Sequence, residues 1–218
     1  MSQAEINVAQ VVSTPFEENS FIVYRAGASS CVVIDPGLEP EEIIAFLEKN
    51  KLTPNAILLT HGHGDHIGGI PAMKERFPEC RVLIGEADAE KLTDPVQNLS
   101  EGFGIGLTVP RADQTLSDGE TLEVAGLVFE VHSVPGHSAG HVVYLVKELA
   151  PPIVFVGDVI FRGGIGRTDF PDSNHAALLS GIRSKLYVLP DDTVLVPGHG
   201  PTTTVGQEKQ TNPFVREN

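Results

Sequence analysis

The feature that constrains this chain most is the six-residue run His61-Gly62-His63-Gly64-Asp65-His66. It places four side chains with metal-ligating atoms close together, and its glycines let the backbone turn sharply between them. Imidazole and carboxylate are the ligands expected for zinc or iron(II). A polar loop with incidental histidines explains this density poorly. The run therefore predicts a metal site, and it could serve two adjacent ions if His61 and His63 face one way and Asp65 and His66 another.

Further side chains with metal-ligating atoms follow apolar runs that are predicted to be buried strands. His137 and His199 each come after a Pro-Gly turn, and Asp158 ends its run after a single glycine. A carboxylate at the end of a buried strand is costly unless it is paired or bound to metal. These positions predict that several strand ends contribute to one catalytic metal site. His141, which begins the next run, is expected to support its loop by hydrogen bonding rather than to bind metal.

The apolar pattern predicts strands and helices that alternate in groups. Strands are predicted at residues 6–12, 21–25, 30–34, 56–59, 81–84, 121–124, 127–134, 141–146, 153–156 and 193–196. Helices are predicted at residues 40–50, 70–77, 86–92 and 174–186. Residues 94–111 have weak periodicity and several glycines, which predicts an irregular loop over the site. The grouping predicts an α/β or α+β fold with two sheets, in one domain that spans residues 1–218.

Charge and composition narrow the functional class. The chain carries a formal net charge of −14, which disfavours nucleic acid and anionic membranes as partners because both present negative charge. No apolar stretch approaches the roughly 18 residues of a membrane span, and the N-terminus has no apolar signal core. The two cysteines, Cys31 and Cys80, fit a reducing compartment, and Cys31 is expected to be buried. We therefore expect a cytoplasmic protein.

Taken in order, residues 60–66, His137, Asp158 and His199 resemble the motifs of the metallo-β-lactamase superfamily. These motifs span almost the whole chain, and as an ordered set they are highly specific. Residues 157–161, 166–170 and 197–204 are similar to glyoxalase II (hydroxyacylglutathione hydrolase), especially its short bacterial relatives without a C-terminal helical domain. The resemblance implies a four-layer αββα sandwich with the site at one edge of the paired sheets.

The same resemblance implies two divalent metal ions per chain. It assigns one ion to His61, His63 and His137. It assigns the other ion to Asp65, His66 and His199, and it gives Asp158 the role of bridging the two ions. Zinc is the ion we expect, with iron or manganese as alternatives. In this scheme a metal-bridging hydroxide attacks a thioester carbonyl, and Asp65 also orients that nucleophile.

The resemblance implies a small-molecule thioester as substrate, with a glutathione conjugate as one candidate. Full-length glyoxalase II enzymes have C-terminal helices that supply basic residues for the glutathione carboxylates, and the sequence after His199 shows no such helices. Arg167, in a glycine-rich loop, could hold an anionic substrate or could pair with Asp169 or Asp172. Asp35 is expected to support the metal loop, with a simple turn role as the alternative. A monomer and a homodimer fit equally.

A second interpretation belongs to another class of enzyme. Residues 166–170 also resemble the persulfide dioxygenases of this superfamily, which hold one iron with two histidines and a carboxylate. Here that would be one of the paired motif histidines with His137 and Asp158. β-Lactamases are normally exported, and this sequence shows no export signal. Nucleases of the superfamily need a basic surface, whereas this chain is acidic, so both classes fit the sequence less well. A non-catalytic metal-binding module is disfavoured because such modules typically lose ligands, and all seven are present.

Overall fold

The first half of the chain forms a mixed sheet with helices on one face. The computed structural model describes residues 5–216. The elements of this half are β1 (Ile6–Ser13), β2 (Glu18–Arg25), β3 (Ser30–Ile34), α1 (Glu41–Asn50), β4 (Thr53–Leu58), α2 (Gly64–Ile67), α3 (Ile70–Arg76), β5 (Arg81–Gly85) and β6 (Gln114–Leu116). The strands lie side by side in chain order. β1, β2 and β3 pair antiparallel, whereas β3, β4, β5 and β6 pair parallel.

The second half forms another six-stranded sheet, in the order β14-β13-β10-β9-β8-β7. Its elements are β7 (Thr121–Val124), β8 (Leu127–Ser133), β9 (Val142–Val146), β10 (Ile153–Gly157), β11 (Ile160–Phe161), β12 (Gly164–Ile165), α4 (His175–Gly181), β13 (Val194–Pro197), β14 (Thr203–Thr204) and α5 (Val205–Thr211). β11 and β12 form a separate small hairpin, and β10 and β13 run parallel.

Three apolar cores separate four layers. Alternate residues of a strand point to opposite faces of its sheet, so Val32 and Ile34 of β3 enter the core between the sheets, whereas Cys31 and Val33 enter the core beneath α1 and α3. A third core lies between the second sheet and the helical segments α4 and α5. Helices therefore cover both outer faces, which confirms the predicted α/β class and the four-layer αββα sandwich.

Most predicted elements are present within a residue or two of their predicted ends. The predicted helix at 86–92 is a 3₁₀ helix over Glu86–Thr93, and α4 continues as a π-helical turn over Ile182–Leu186. Residues 94–111 are irregular apart from a 3₁₀ turn over Glu101–Phe103. The elements that the pattern missed are short: α2, β6, β11, β12, β14 and α5. Within residues 5–216 no helix is long and apolar enough to cross a lipid bilayer.

Candidate metal centre

The candidate site lies where neighbouring strands of both sheets end together. The carboxyl ends of β3, β4, β10 and β13 meet at one edge of the sandwich, and the loop between β8 and β9 reaches the same edge. Asn19, at the start of β2, joins the two sheets here. Its backbone N–H donates to the Gly198 carbonyl at 2.7 Å, and its side-chain amide donates to the carbonyls of Pro197 and Gly200 at 3.0 and 2.9 Å. The two halves of the site are therefore held in register by buried hydrogen bonds.

Three of the predicted ligands, His61, His63 and His137, form a first cluster. Nδ1 of His63 lies 3.0 Å from Nε2 of His61 and 3.0 Å from Nε2 of His137. Nitrogen ligands about 2.0–2.1 Å from zinc in a tetrahedral site lie about 3.4 Å apart. All three side chains are buried. Their spacing therefore matches the ligand set of a single ion.

Hydrogen bonds on the outer side of the His61 and His137 rings fix which nitrogen of each ring faces the first cluster. A carbonyl only accepts, so Nδ1 of His137 carries the proton that it donates to the Arg167 carbonyl at 2.9 Å. Nδ1 of His61 contacts Thr60 Oγ1 at 3.0 Å, and that hydroxyl donates onward to Asp35 at 2.6 Å. Both rings consequently present Nε2 as a lone pair, which is how outer contacts orient metal-ligating histidines.

A second cluster contains Asp65, His66 and His199. Oδ2 of Asp65 lies 3.3 Å from Nε2 of His199 and 3.8 Å from Nε2 of His66. Nδ1 of His199 donates to the Phe16 carbonyl at 3.0 Å, and Nδ1 of His66 donates to Asp35 Oδ2 at 3.2 Å. Both rings again turn Nε2 toward the shared space. The donor set is one carboxylate and two imidazoles, which suits zinc or iron.

Asp158 lies between the two clusters. Its Oδ2 is 3.5 Å from Nε2 of His137 in the first cluster and 3.7 Å from Nε2 of His199 in the second. Its Oδ1 is 3.5 Å from Nε2 of His66. Gly198 makes room for this carboxylate, because a Cβ there would lie only 2.5 Å from Asp158 Oδ1. One carboxylate thus faces the nitrogens of both clusters.

Some buried atoms at this centre need a partner that the protein does not provide. Among the described residues, Nε2 of His63 is buried without a hydrogen bond, and so are two atoms between the clusters, Nε2 of His66 and Oδ1 of Asp158. An unsatisfied buried polar atom costs about 1–3 kcal/mol, and more when it is charged. Both atoms point into the space between the clusters, where a cation would bond to each. The residues present therefore fit a metal centre.

The two clusters differ in the direction in which the pKa values of their buried histidines are shifted. Burial lowers the pKa of His61 and His63 well below the usual value, so both are neutral and able to ligate. Burial also lowers the pKa of His66, but the carboxylates of Asp65, Asp158 and Asp35 outweigh it and raise that pKa well above its usual value. Protonation of His66 therefore competes with metal binding in the second cluster.

Asp35 and His141 contact the ligands from outside. Asp35, at the positive φ of 47°, accepts from the Thr60 backbone at 2.7 Å and contacts His66, so it has both the turn conformation and the contacts of a supporting residue. His141 accepts from the Asp158 backbone N–H at 3.1 Å. Its ring stacks on His61 with centroids 4.7 Å apart. The supporting roles of both residues remain proposals that rest on these contacts.

Asp88 connects two of the motif loops and was not predicted from the sequence. Its Oδ2 accepts from the Gly62 backbone at 2.9 Å and from Ser138 Oγ at 2.7 Å. Its Oδ1 accepts from the Gly140 backbone at 2.7 Å and lies 3.4 Å from Nζ of buried Lys91. The loop with the first two histidines is thereby fixed against the loop with the third. No sequence signal marks this role, because Asp88 lies in an ordinary-looking helical segment.

Replacing Asp88 with alanine is expected to destabilise the protein by about 3–5 kcal/mol, because it leaves two buried amides and the buried Ser138 hydroxyl without their acceptor. Denaturant unfolding of the metal-loaded protein measures this change. The matched control is Glu90→Ala, which removes an exposed carboxylate of the same helix that pairs with exposed Arg111; it should change stability by less than about 0.5 kcal/mol. Equal effects of the two variants would show that Asp88 does not tie the loops together.

Glu18 is a second residue that the sequence analysis missed. It is fully buried, and its Oε1 lies 3.9 Å from Nδ1 of His66. Burial raises its pKa well above the usual value. Its other carboxylate oxygen accepts from Ser20 Oγ at 3.1 Å, so the side chain is fixed behind His66.

Five of the seven candidate ligands line a cleft with a volume of about 520 Å³: His63, Asp65, His137, Asp158 and His199. Its walls are mostly apolar and include several residues of the 94–111 loop, as the sequence predicts. Arg167 lines the cleft, but its guanidinium pairs with Asp169 at 2.9 Å and lies over the Phe170 ring at 4.7 Å. Arg162 also lines the cleft and donates to the Thr202 carbonyl. The pairing of Arg167 with Asp169, which the sequence left open, is thus present.

Two packed sheets between helices, with histidine and aspartate clusters at the strand ends, define a metal-dependent enzyme. The chain belongs to the metallo-beta-lactamase superfamily, which it matches over residues 13–199. Hydroxyacylglutathione hydrolase GloC of Haemophilus influenzae is 37% identical to it over 217 residues, which cover 96% of this chain and 98% of that protein.

Solved structures agree with this assignment. The BLEG-1 B3 metallo-beta-lactamase is 37% identical with a TM-score of 0.91, over 97% of this chain and 100% of that one. TTHA1623, solved in a di-iron-bound form, is 36% identical with a TM-score of 0.81, over 94% and 99% of the two chains. ETHE1 from Myxococcus xanthus is 27% identical with a TM-score of 0.79, over 96% and 84%. The shared fold thus occurs in proteins with different names and activities.

Proposed function

We propose that this protein is a binuclear metal hydrolase that cleaves small-molecule thioesters, of the glyoxalase II type. The observation that carries the proposal is the position of Asp158, whose carboxylate faces nitrogens of both ligand clusters. A carboxylate so placed serves as a bridge between two ions. The likeness to GloC over nearly the full length of both chains supports the choice of a thioester, with glutathione thioesters among the candidates.

In this proposal the seven residues divide as the sequence resemblance implies. One ion would be held by His61, His63 and His137, and the other by Asp65, His66 and His199, and Asp158, which faces nitrogens of both clusters, would be shared. Zinc is the expected ion, and the same donors accept iron or manganese. When bound, the ions lower the pKa of a water molecule and act as Lewis acids toward a carbonyl oxygen.

The residues of the chain orient the reaction. Asp65 lines the cleft, so its carboxylate can accept a hydrogen bond from the attacking water and hold it toward the substrate carbonyl. The bonds from His137 to the Arg167 carbonyl and from His199 to the Phe16 carbonyl keep both rings fixed while the substrate enters. The apolar walls exclude bulk water from the ligands, which strengthens electrostatic interactions at the reacting carbonyl.

A mononuclear iron persulfide dioxygenase is the second candidate. The resemblance of residues 166–170 to the persulfide dioxygenases of this superfamily favours it. In this alternative His137 and Asp158 would join one of the paired histidines to hold a single iron with open positions for oxygen. The two candidates differ in metal content, in oxygen use and in substrate.

A small substrate panel separates the candidates. We expect turnover of lactoylglutathione and of simple acyl thioesters, followed as release of free thiol, with no oxygen consumed. Glutathione persulfide in an oxygen electrode tests the dioxygenase, and a chromogenic cephalosporin tests β-lactam hydrolysis. Oxygen uptake with the persulfide and no thioester cleavage would replace the proposed function with the second candidate. Cleavage of the cephalosporin alone would overturn both.

A further inference from the structure

One wall of the cleft exposes large apolar side chains. Phe103 is 64% exposed and Ile105 is 46% exposed, and both belong to the loop that was predicted to cover the site. Phe103 meets Phe16 edge to face, with ring centroids 5.2 Å apart. Exposed apolar groups that gather in one concave place are a recognised sign of a binding surface. This wall, formed by Phe16, Phe103 and Ile105, we call the loop wall.

A second part of the cleft lining is also apolar and contacts the candidate metal ligands directly. Phe161 and Ile165 lie on the β11–β12 hairpin, and Phe170 follows it. The ring centroid of Phe170 is 5.2 Å from that of His63 and 5.6 Å from that of His137. We call this surface, formed by Phe161, Ile165 and Phe170, the hairpin wall. A group that leaves the reacting carbonyl therefore passes between two apolar walls.

The size of the cleft argues against a small substrate group alone. A lactoyl or acetyl group placed over the ligands would leave most of both walls in water, because the walls extend outward to exposed Phe103. An apolar chain or ring of several carbons would cover them. Each fully buried methylene adds about fourfold to binding, so such a group would raise affinity steeply.

We propose that the preferred substrate is a thioester with one apolar arm, an alkyl chain or an aromatic ring of about four to eight carbons, which lies between the loop wall and the hairpin wall. This inference rests on the proposed function and specifies its substrate class. The apolar arm is either the acyl group or the thiol group of the thioester. Both give the same contacts with the walls, so the experiment varies them separately.

The test uses the metal-loaded protein and two series of thioesters. One series changes the acyl group from acetyl to hexanoyl on N-acetylcysteamine, and the other keeps acetyl and lengthens an alkyl thiol from ethyl to hexyl. We expect kcat/KM to rise at least about tenfold along one series, which is less than full burial of four methylenes would give. A flat response in both series would overturn the inference, and no cleavage of any member would overturn the proposed function instead.

The variant Phe103→Ala is expected to remove most of this preference. It should lower kcat/KM for the longest member about five- to tenfold and for the acetyl member less than about twofold. The matched control is Phe214→Ala, since Phe214 is 56% exposed and does not line the cleft; it should leave both values unchanged. An equal loss for short and long members in Phe103→Ala would contradict contact between this ring and the apolar arm.

A binding measurement separates recognition from catalysis. Non-hydrolysable thioethers, S-hexyl and S-methyl N-acetylcysteamine, are titrated calorimetrically into the wild type, Phe103→Ala and a second loop-wall variant, Ile105→Ser. We expect the hexyl compound to bind at least about tenfold more tightly than the methyl compound to the wild type, and this ratio to fall in both variants. Equal binding of the two thioethers to the wild type would overturn the inference whatever the activity assays show.

Discussion

Replacing Asp158 with alanine is expected to lower kcat/KM for thioesters on the order of 10³-fold, equivalent to a loss of about 4 kcal/mol of transition-state stabilisation. The reason is geometric, because this carboxylate faces nitrogens of both ligand clusters. Its Oδ1 has no hydrogen-bond partner within the described residues, so the substitution breaks no hydrogen bond at that atom. Steady-state kinetics together with metal analysis of the folded variant measure the effect.

Two controls make this result specific. Asp192→Ala removes an exposed aspartate at the turn before β13, and it should retain wild-type kinetics. His61→Ala should lose activity as Asp158→Ala does, whereas the corresponding change at His175, which lies outside the clusters, should not. Wild-type activity of Asp158→Ala or His61→Ala in a preparation of known metal content would remove the basis of the ligand assignment.

Removing metal from the wild-type protein is the second change with a large expected effect. Ligands that bind only the folded state stabilise it by about 4 kcal/mol when present at 1,000 times their Kd. For a chain of this size each kcal/mol shifts Tm by about 2–4 °C. We therefore expect a chelator to abolish activity and to lower Tm by about 8–16 °C, as measured by calorimetry before and after dialysis.

Two controls accompany metal removal: zinc is added back to the wild-type protein, and the Asp158→Ala variant is treated with the same chelator. Adding zinc back should restore both activity and Tm, since the ligand atoms lie at coordinating distances from one another without it. Asp158→Ala, which lacks the shared carboxylate, should show a smaller shift with the chelator than the wild type. A Tm that does not respond to the chelator, in a protein shown to have lost its metal, would mean that the clusters do not bind metal when folded.

Long apolar runs made the sheets predictable from sequence, whereas very short elements were not. The central strands leave continuous apolar runs because side chains on both of their faces enter a core. The β11–β12 hairpin has only two residues per strand and leaves no such pattern. This hairpin nevertheless forms part of the cleft. The hairpin wall was therefore harder to predict from the sequence than the apolar core.

The candidate ligands were predictable because they cluster in sequence or directly follow buried strands. Asp88 and Glu18 were not, because their roles depend on contacts between segments far apart in the chain. Asp88 contacts Ser138, fifty positions away, and Glu18, at the start of β2, contacts His66, which lies in α2. A side chain that supports a ligand leaves no local pattern, unlike the ligand itself.

If two metal ions share Asp158 in each chain, thioester cleavage should require both ions. Titration of the metal-free protein with zinc, with thioesterase activity and bound metal followed together, tests this requirement. We expect activity to reach its maximum only when two equivalents per chain are bound. Full activity at one equivalent, with no further change as more zinc is added, would contradict it.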